Sequence, residues 1–484
     1  MSEYRATIGL EIHAELKTST KMFCRSLNNP DELRPNVNVC PVCLAHPGTL
    51  PVINEEAILH VLRVGVALGA TLADYTEFDR KNYFYPDLPK GYQISQYEYP
   101  LVSGGSLAGV QITRIHLEED TASSMHDETN GETTIDFNRA GIPLMELVTD
   151  PVIHNAEDAA KFARELQLLF RYLEASDADM EKGQMRVEAN ISVSSGKELG
   201  TKVEIKNLNS FRAMERAVAY EIRRQSEALD RGERIVQETR GWDEVKQATF
   251  RQRTKEGSAD YRYFPDPDLP SLRLSEISAY HVDRVREGLP ELPTARRARY
   301  TTLGLKSDDV ELFVTNGSLG SFFDEVVVES GNNLPRIQLA ANYIANDLVN
   351  IIRDMERRDT EIDAEIPILS HNLGAIIDLL LSGKVSSRGG KNILRRAVET
   401  GLNVEDIAKD EGFLQVSNST DLDLIASKII ADNPSVVEDY MQGKDSAIQF
   451  LIGEGMKASK GSGNPKVLKD IYFSKLKRGE STEV

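Results

Sequence analysis

The stretch that decides the fold is "IGLEIHAEL", Ile8 to Leu16, in which Leu10, Ile12, Ala14 and Leu16 alternate with Glu11, His13 and Glu15. A period of two belongs to an extended chain, so this segment predicts a strand with one apolar face and one face carrying two carboxylates and an imidazole. The pattern recurs downstream. "IHLEED" alternates His116, Glu118 and Asp120 with Leu117 and Glu119, and "MRVEANISV" alternates Arg186, Glu188, Asn190 and Ser192 with Met185, Val187, Ala189, Ile191 and Val193. "TKVEIKN" does the same with Lys202, Glu204 and Lys206 against Val203 and Ile205. Any one of these reads as the solvated face of an antiparallel sheet. Together they fit either such a solvated face or a concave polar face able to hold a divalent cation and a polyphosphate, because hard cations take carboxylate oxygens and basic side chains neutralise phosphate oxygens.

Two helices interrupt the strands. One opens at Asn155 as N-cap, with Asp158 three residues on and Phe162, Leu166, Leu169 and Leu173 on one stripe. The other opens at Ser210, carries Phe211, Met214, Val218 and Ile222, and ends before Gly232. Ile8 to about Phe264 is therefore expected to be α+β, a cradle on a largely antiparallel sheet. After "PDPDLP" (Pro265 to Pro270) the pattern turns helical in "LPELPTARRARY", "QLAANYIANDLVNIIRDMERR", "LGAIIDLLLSG" and "GGKNILRRAVETG". "NVEDIAKDEG" restarts near Asn403 with its own capping signals. The expected division is a cradle domain over 1–290, an all-α helical domain over 291–402 and a small all-α tail over 403–484.

The 484 residues, 40% hydrophobic and 27% charged, can bury a sizeable core. The opening "MSEYRATIGLEIH" has no basic region leading into an apolar run, and "VGVALGATLA" from Val64 is too short to cross a bilayer. With three cysteines in the chain, a cytoplasmic protein without a membrane partner is expected. A net charge of −19 argues against indiscriminate coating of nucleic acid. It leaves room for a local footprint, since Met456 to Arg478 holds seven basic residues, Lys457, Lys460, Lys466, Lys469, Lys475, Lys477 and Arg478, against Asp470.

The common nucleotide signatures are missing. No G-x-x-x-x-G-K-[ST] occurs, no G-x-G-x-x-G follows a strand, and no Ser/His/Asp or Cys/His order stands out. At "KNLNSFR", Lys206, Asn209 and Arg212 flank a helix start whose free N–H groups form an anion cradle or simply an N-cap at Ser210. "FDRKNYFYPDLPKGYQISQYEYP" interleaves Tyr83, Phe84, Tyr85, Tyr92, Tyr97 and Tyr99 with Arg80, Lys81 and Lys90, and "SADYRYFPDPDLP" repeats the theme with Tyr261, Arg262, Tyr263 and Phe264. Such interleaving suits stacking of unpaired bases at an RNA end, and suits equally a Tyr-rich edge packed on the core. Cys40 and Cys43 form a C-x-x-C turn with Cys24 upstream; zinc needs a fourth ligand, for which His46 is nearest in the chain, and the competing reading is free buried thiols.

Taken in order, "IGLEIHAELKT", "NVCPVCLAHPGTLPVIN", "FDRKNYFYPDLPKGYQISQYEYPL", "HLEED", "FNRAGIPLMELVTDP", "GQMRVEANISV", "TKVEIKNLNSFRAMERA", "QETRGWDE" and "EGSADYRYFPDPDLP" resemble the B subunits of tRNA-dependent amidotransferases over roughly the first 270 residues. "GEGMKASKGSGNP" resembles the YqeY-like tail of the same family. The resemblance implies a protein that uses ATP and Mg²⁺ to phosphorylate the side-chain carboxylate of mischarged Glu-tRNA(Gln) or Asp-tRNA(Asn). It also implies a heterotrimer with an ammonia-releasing amidase A subunit and a small C subunit, the tRNA acceptor end lying in the cradle and the tRNA body on the tail.

By resemblance, the magnesium ligands fall on Glu11, His13, Glu119, Glu146 and Glu188, although alternation in "IHLEED" puts Glu118, not Glu119, on the polar face. Lys81 falls at a basic position of the catalytic pocket, and Arg186, Glu204 and Lys206 join it by alternation. Tyr83, Tyr85, Tyr92, Asn209 and Arg212 are the expected substrate contacts. Cys24, Cys40 and Cys43 are candidate zinc ligands, with Ser26 standing where zinc-binding members have another cysteine. The alternative, from a different class, is a noncatalytic tRNA-binding adaptor, which has no reason to gather Glu11, His13, Glu146 and Glu188 at one point.

Overall fold

In the computed structural model, which describes residues 4–127, 129–254, 261–356, 366–414, 419–459 and 463–476, the opening alternation becomes strand β1 (Arg5–Glu15). Its even-numbered residues Ile8, Leu10, Ile12 and Ala14 are buried, and the odd-numbered ones line the opposite face. The other strands that matter are β2 (Asp79–Asn82), β3 (Tyr92–Ser95), β4 (Val110–Glu119), β5 (Pro143–Thr149), β6 (Met185–Ser194), β7 (Val203–Leu208), β8 (Glu238–Asp243) and β9 (Ala248–Thr254). A 10-stranded sheet runs in the order β9–β8–β7–β6–β1–β5–β4 and is extended beyond β4 by short strands. Its pairs are antiparallel apart from the parallel β7–β8 pair. β2 and β3 form a hairpin, and Phe264–Pro265 pairs with β2 beside it.

The apolar face is covered by helices α1 (Glu55–Ala67), α2 (Ala156–Tyr172) and α3 (Phe211–Asp230), whose Ile58, Val61, Phe162, Leu166, Met214 and Val218 share one core with Leu10, Ile12, Leu147 and Val187. The caps expected at the last two are present: Asn155 Oδ1 accepts the Asp158 N–H at 2.7 Å, and Ser210 Oγ accepts the Ala213 N–H at 3.1 Å. Helix α1 went unrecognised in the sequence because Gly65 and its valines depress helix propensity. Packing overrides this: a Cβ on Gly65 would meet Val102 Cγ2 at 2.7 Å, so glycine is what lets α1 lie against the sheet.

The chain divides into two compact units, the first ending at Pro293 and the second starting at Thr294. The second is helical. Ser370–Leu381, Ser387–Thr400 and Val404–Asp410 pack in sequence, and Ser419–Asp432, Pro434–Met441, Ala447–Ala458 and Pro465–Lys475 close around a core of Leu422, Ala426, Leu451, Leu468 and Tyr472. This agrees with the α+β class and helical tail expected from patterning. Lys460, Lys477 and Arg478 of the basic segment, and residues 256–260 of "EGSADYRYFPDPDLP", lie outside the described residues. Among the described residues no helix is long and apolar enough to cross a membrane.

Candidate active site

The polar face of the sheet lines a cavity of about 700 Å³. Register alone builds its centre. His116 on β4 stands opposite Glu146 on β5, Glu146 opposite His13 on β1, and His13 opposite Arg186 on β6, a continuous row across four strands. Partners directly opposite on one face lie about 5 Å apart at Cβ, close enough for these side chains to meet. They do: Glu146 lies 3.3 Å from His13 Nε2, 3.4 Å from His116 Nε2 and 3.7 Å from Arg114 Nη2. One step along the strands, Glu11 stands opposite Glu188, which Lys206 of β7 meets at 2.8 Å. Glu118 sits 3.6 Å from His13 and 3.8 Å from Lys81 Nζ, which comes from the β2–β3 hairpin.

The charges are mutually tuned. Burial opposes a charged His13, but its hydrogen bond to Glu146 and the nearby carboxylates of Glu146, Glu118 and Glu11 prevail and raise the imidazole to about 9. Burial also opposes ionisation of Glu146, yet His116 and His13 hold it well below the usual carboxylate range. Glu11 is pushed up by burial and then by Glu146. Lys81 is kept charged against desolvation chiefly by Glu118, and Arg186 chiefly by Asp120. The site therefore holds an anionic carboxylate floor beneath cations on either side. Ligand atoms of Glu11, His13 and Glu146 lie within 4.8 Å of one another, as do those of His116, Glu118 and Glu146. This oxygen-rich donor set fits a hard divalent cation, which would displace the His13 proton on binding the imidazole.

Of the residues expected from sequence, Glu11, His13, Glu146, Glu188, Lys81, Arg186, Glu204, Lys206 and Tyr83 line this cavity. Glu119 does not join them. Alternation turns it to the other side of β4, where its carboxylate accepts the Ile94 N–H at 2.9 Å and meets Lys90 at 2.5 Å, while Glu118 takes the cavity position. Tyr92 also faces away, under the Arg80 guanidinium at 4.3 Å from the ring centroid. Tyr85 projects outward beside Tyr83, and Asn209 and Arg212 are exposed outside the cavity lining. Of the two readings of "KNLNSFR", the N-cap at Ser210 is present, and Lys206 lines the cavity apart from Asn209 and Arg212.

The structure adds residues that the sequence reading left unassigned. His116 and Glu118 were legible from alternation alone. Tyr97 and Tyr263 stack at 4.5 Å and 11°, and the Tyr261 ring lies 5.2 Å from Lys81 Nζ, so two distant aromatic runs form one wall. Thr239 of β8 donates its hydroxyl to Glu204 at 2.7 Å, fixing the carboxylate beside Lys206.

On the other side of β4, Cys24, Cys43, His46 and Glu119 line a second cavity of about 200 Å³. The three cysteine sulfurs lie within 4.8 Å of one another, and the 3.8 Å between Cys40 and Cys43 matches the edge of a tetrahedron with metal–sulfur bonds of about 2.3 Å. Ser26 Oγ lies 3.8 Å from Cys43 Sγ, and so does Nζ of Lys21, a residue with no exposed surface. A hydrogen bond from Cys24 holds Cys43 down to about 4 against burial, with help from Lys21, and the same bond pushes Cys24 up. Three sulfurs this close fit three of the four ligands of a zinc ion, for which His46, lining the same cavity, or water would be the fourth.

The family described as "GatB/GatE catalytic domain" matches residues 6–279, and that described as "GatB domain" matches residues 321–476. The chain is similar to the B subunit of the aspartyl/glutamyl-tRNA(Asn/Gln) amidotransferase of Thermoanaerobacter pseudethanolicus, 40% identical over 487 residues covering 98% of this chain and 100% of the relative. The protein of the same name from Dehalococcoides mccartyi is 41% identical over 498 residues, 99% of this chain and 100% of the relative. That from Carboxydothermus hydrogenoformans is 40% identical over 492 residues, 98% and 99% respectively.

Proposed function

Because the chain belongs to the family of aspartyl/glutamyl-tRNA(Asn/Gln) amidotransferase B subunits, we propose that its polar sheet face is where the side-chain carboxylate of a mischarged aminoacyl-tRNA is activated. It is one component of a tRNA-dependent amidotransferase, a ligase of protein synthesis that works with partner subunits and tRNA and uses ATP. In our reading the substrate is Glu-tRNA(Gln), Asp-tRNA(Asn) or both. A carboxylate oxygen attacks the γ-phosphorus of ATP and ADP leaves, giving an acyl phosphate. Ammonia from an amidase A subunit then attacks the carbonyl carbon, and phosphate departs with the C–O bonding pair. A small C subunit completes the proposed heterotrimer, and the assembly acts in the cytoplasm.

Glu11, His13, Glu118, Glu146 and Glu188 would hold magnesium, which supplies Lewis-acid neutralisation of the triphosphate when bound. Lys81, Arg186 and Lys206 face the transferring phosphoryl group, whose charge is spread over its equatorial oxygens and calls for fixed cations rather than a nucleophile. Glu204 keeps Lys206 in place. Tyr83, with the wall of Tyr97, Tyr261 and Tyr263, stacks the unpaired acceptor end. The cysteine cluster holds structural zinc. The tail from 403 onward, after a helical domain over 291–402 and a cradle over 1–290, presents Lys457, Lys466, Lys469 and Lys475 to the tRNA body; from Leu422 on it has its own core.

The row His116–Glu146–His13–Arg186 carries this reading, because a scaffold has no use for two imidazoles and the Arg114 guanidinium around the one buried carboxylate of Glu146. His13→Ala and Glu146→Gln in the assembled enzyme are expected to abolish tRNA-dependent ATP hydrolysis while tRNA binding stays within about threefold. Unchanged hydrolysis in both variants would leave only the adaptor reading.

A further inference from the structure

Behind Arg186 lies a layer of charge with no part in the scheme above. Arg186 reaches the cavity with 44% of its side chain exposed, and its Nη2 donates to Asp120 Oδ1 at 2.9 Å. Asp120, 5% exposed, also takes Arg139 Nη2 on its other oxygen at 3.2 Å. Arg139 in turn bonds Glu15, equally buried, and donates to the Gly183 carbonyl at 3.4 Å. Asp120 itself is fixed: its N–H bonds the Ile142 carbonyl at 2.8 Å, its carbonyl accepts the Gly141 N–H at 2.9 Å, and its Oδ1 accepts the Thr121 N–H at 3.0 Å. Gly141 makes that turn with φ +87°, a left-handed conformation that glycine adopts without strain.

Two carboxylates and two guanidiniums from four separate segments thus alternate along one line of contacts, so each buried carboxylate has a cationic partner that offsets part of its burial cost, and Glu15 is still pushed up to about 7 by burial. Arg186 and Asp120 line the cavity, Arg186 with its exposed end, and Arg139 and Glu15 lie behind them. An arginine on a long flexible stem loses about 2 kcal/mol of rotamer freedom when held. Partnership with a rigid buried carboxylate meets that cost before substrate arrives. A purely structural ion pair needs no exposed end aimed at the phosphoryl-binding side of the cavity.

We propose that Asp120, backed by Arg139 and Glu15, is a positioning residue that fixes the Arg186 guanidinium for phosphoryl transfer, an inference that rests on the reading of Arg186 as a group facing that phosphoryl. The test is a double-mutant cycle in the assembled enzyme with mischarged tRNA and ATP. Asp120→Asn is expected to lower kcat by about 30- to 100-fold with both KM values within threefold, as a displaced catalytic group does. In an Arg186→Ala background the same change is expected to cost less than about threefold, since the group it positions is gone. Equal losses in both backgrounds, or a loss confined to KM, overturn the positioning role while leaving Arg186 in the site. Wild-type kcat in Arg186→Ala alone overturns the reading of Arg186 and this inference with it. Should Asp120→Asn not fold, Glu15→Gln carries the same test with an expected kcat loss of about 3- to 10-fold that vanishes in the Arg186→Ala background.

Discussion

Lys81→Met gives the most direct measure of the electrostatics of the cavity. The substitution keeps the length of the apolar stem and removes one charge, whose Nζ stands 3.8 Å from Glu118 and 5.2 Å from the centre of the Tyr261 ring. A unit charge about 4 Å from a phosphoryl oxygen, at an effective dielectric of about 20, contributes about 4 kcal/mol. If most of that appears only as charge develops on the transferring group, kcat falls by about 10²- to 10³-fold, the range found for removing a single electrostatic donor. Folding should suffer less. Glu118 keeps His13 at 3.6 Å and the Ser95 hydroxyl at 3.2 Å, so the variant is expected to lose about 1–2 kcal/mol of stability. The assay is ATP hydrolysis by the assembled enzyme at saturating mischarged tRNA, with tRNA KM measured alongside and Lys81→Arg as the variant that keeps the charge. A Lys81→Met kcat within tenfold of wild type, in protein that binds tRNA normally, would refute the placement of this ammonium at the reacting group.

Metal analysis of purified protein is expected to return about one zinc per chain, lost in Cys43→Ala; a chain free of zinc, with Cys24→Ala harmless to stability, removes zinc from the cysteine cluster. In the helical unit, burial opposes the Asp324 charge, but Arg299, Arg296 and Tyr300 hold the carboxyl below its ordinary value. Because the folded-state pKa is lowered, the stabilisation is complete above the unfolded value of about 3.9 and is lost as pH falls through the folded one. Asp324→Asn should therefore cost about 2 kcal/mol in urea unfolding at pH 7, with a gap that closes in acid; a gap constant down to pH 2 contradicts it. The double charge reversal Lys466→Glu and Lys469→Glu is expected to raise tRNA KM about tenfold with kcat retained and to flatten its salt dependence, and loss of kcat alone would count against a tail contact to the tRNA body.

Much of this site was legible in residue order. Alternation in β1, β4 and β6 identified the polar side, and it placed Glu118 correctly in the cavity where resemblance pointed to Glu119. The caps at Asn155 and Ser210 were equally plain, because a cap is a contact between residues three apart. The aromatic runs were recognisable, but Tyr92 and Tyr83 were indistinguishable until the β2–β3 hairpin turned one toward the cysteines and the other toward the carboxylates. Glu15 shares the parity of Glu11 and His13, yet it lies beneath the cavity surface because Arg139, from a turn far along the chain, draws it into a buried pair.

The division follows from the range of the forces. The period of a strand is set by backbone geometry within one segment, so the sequence by itself determined which side chains share a face and that this face carries Glu, His, Arg and Lys. Which of them touch depends on register between strands that meet only when the common core of α1, α2, α3 and the sheet is packed. The tertiary structure alone therefore decided that Glu146 stands between His13 and His116, that Tyr97 meets Tyr263, and that Cys24 closes on Cys40 and Cys43.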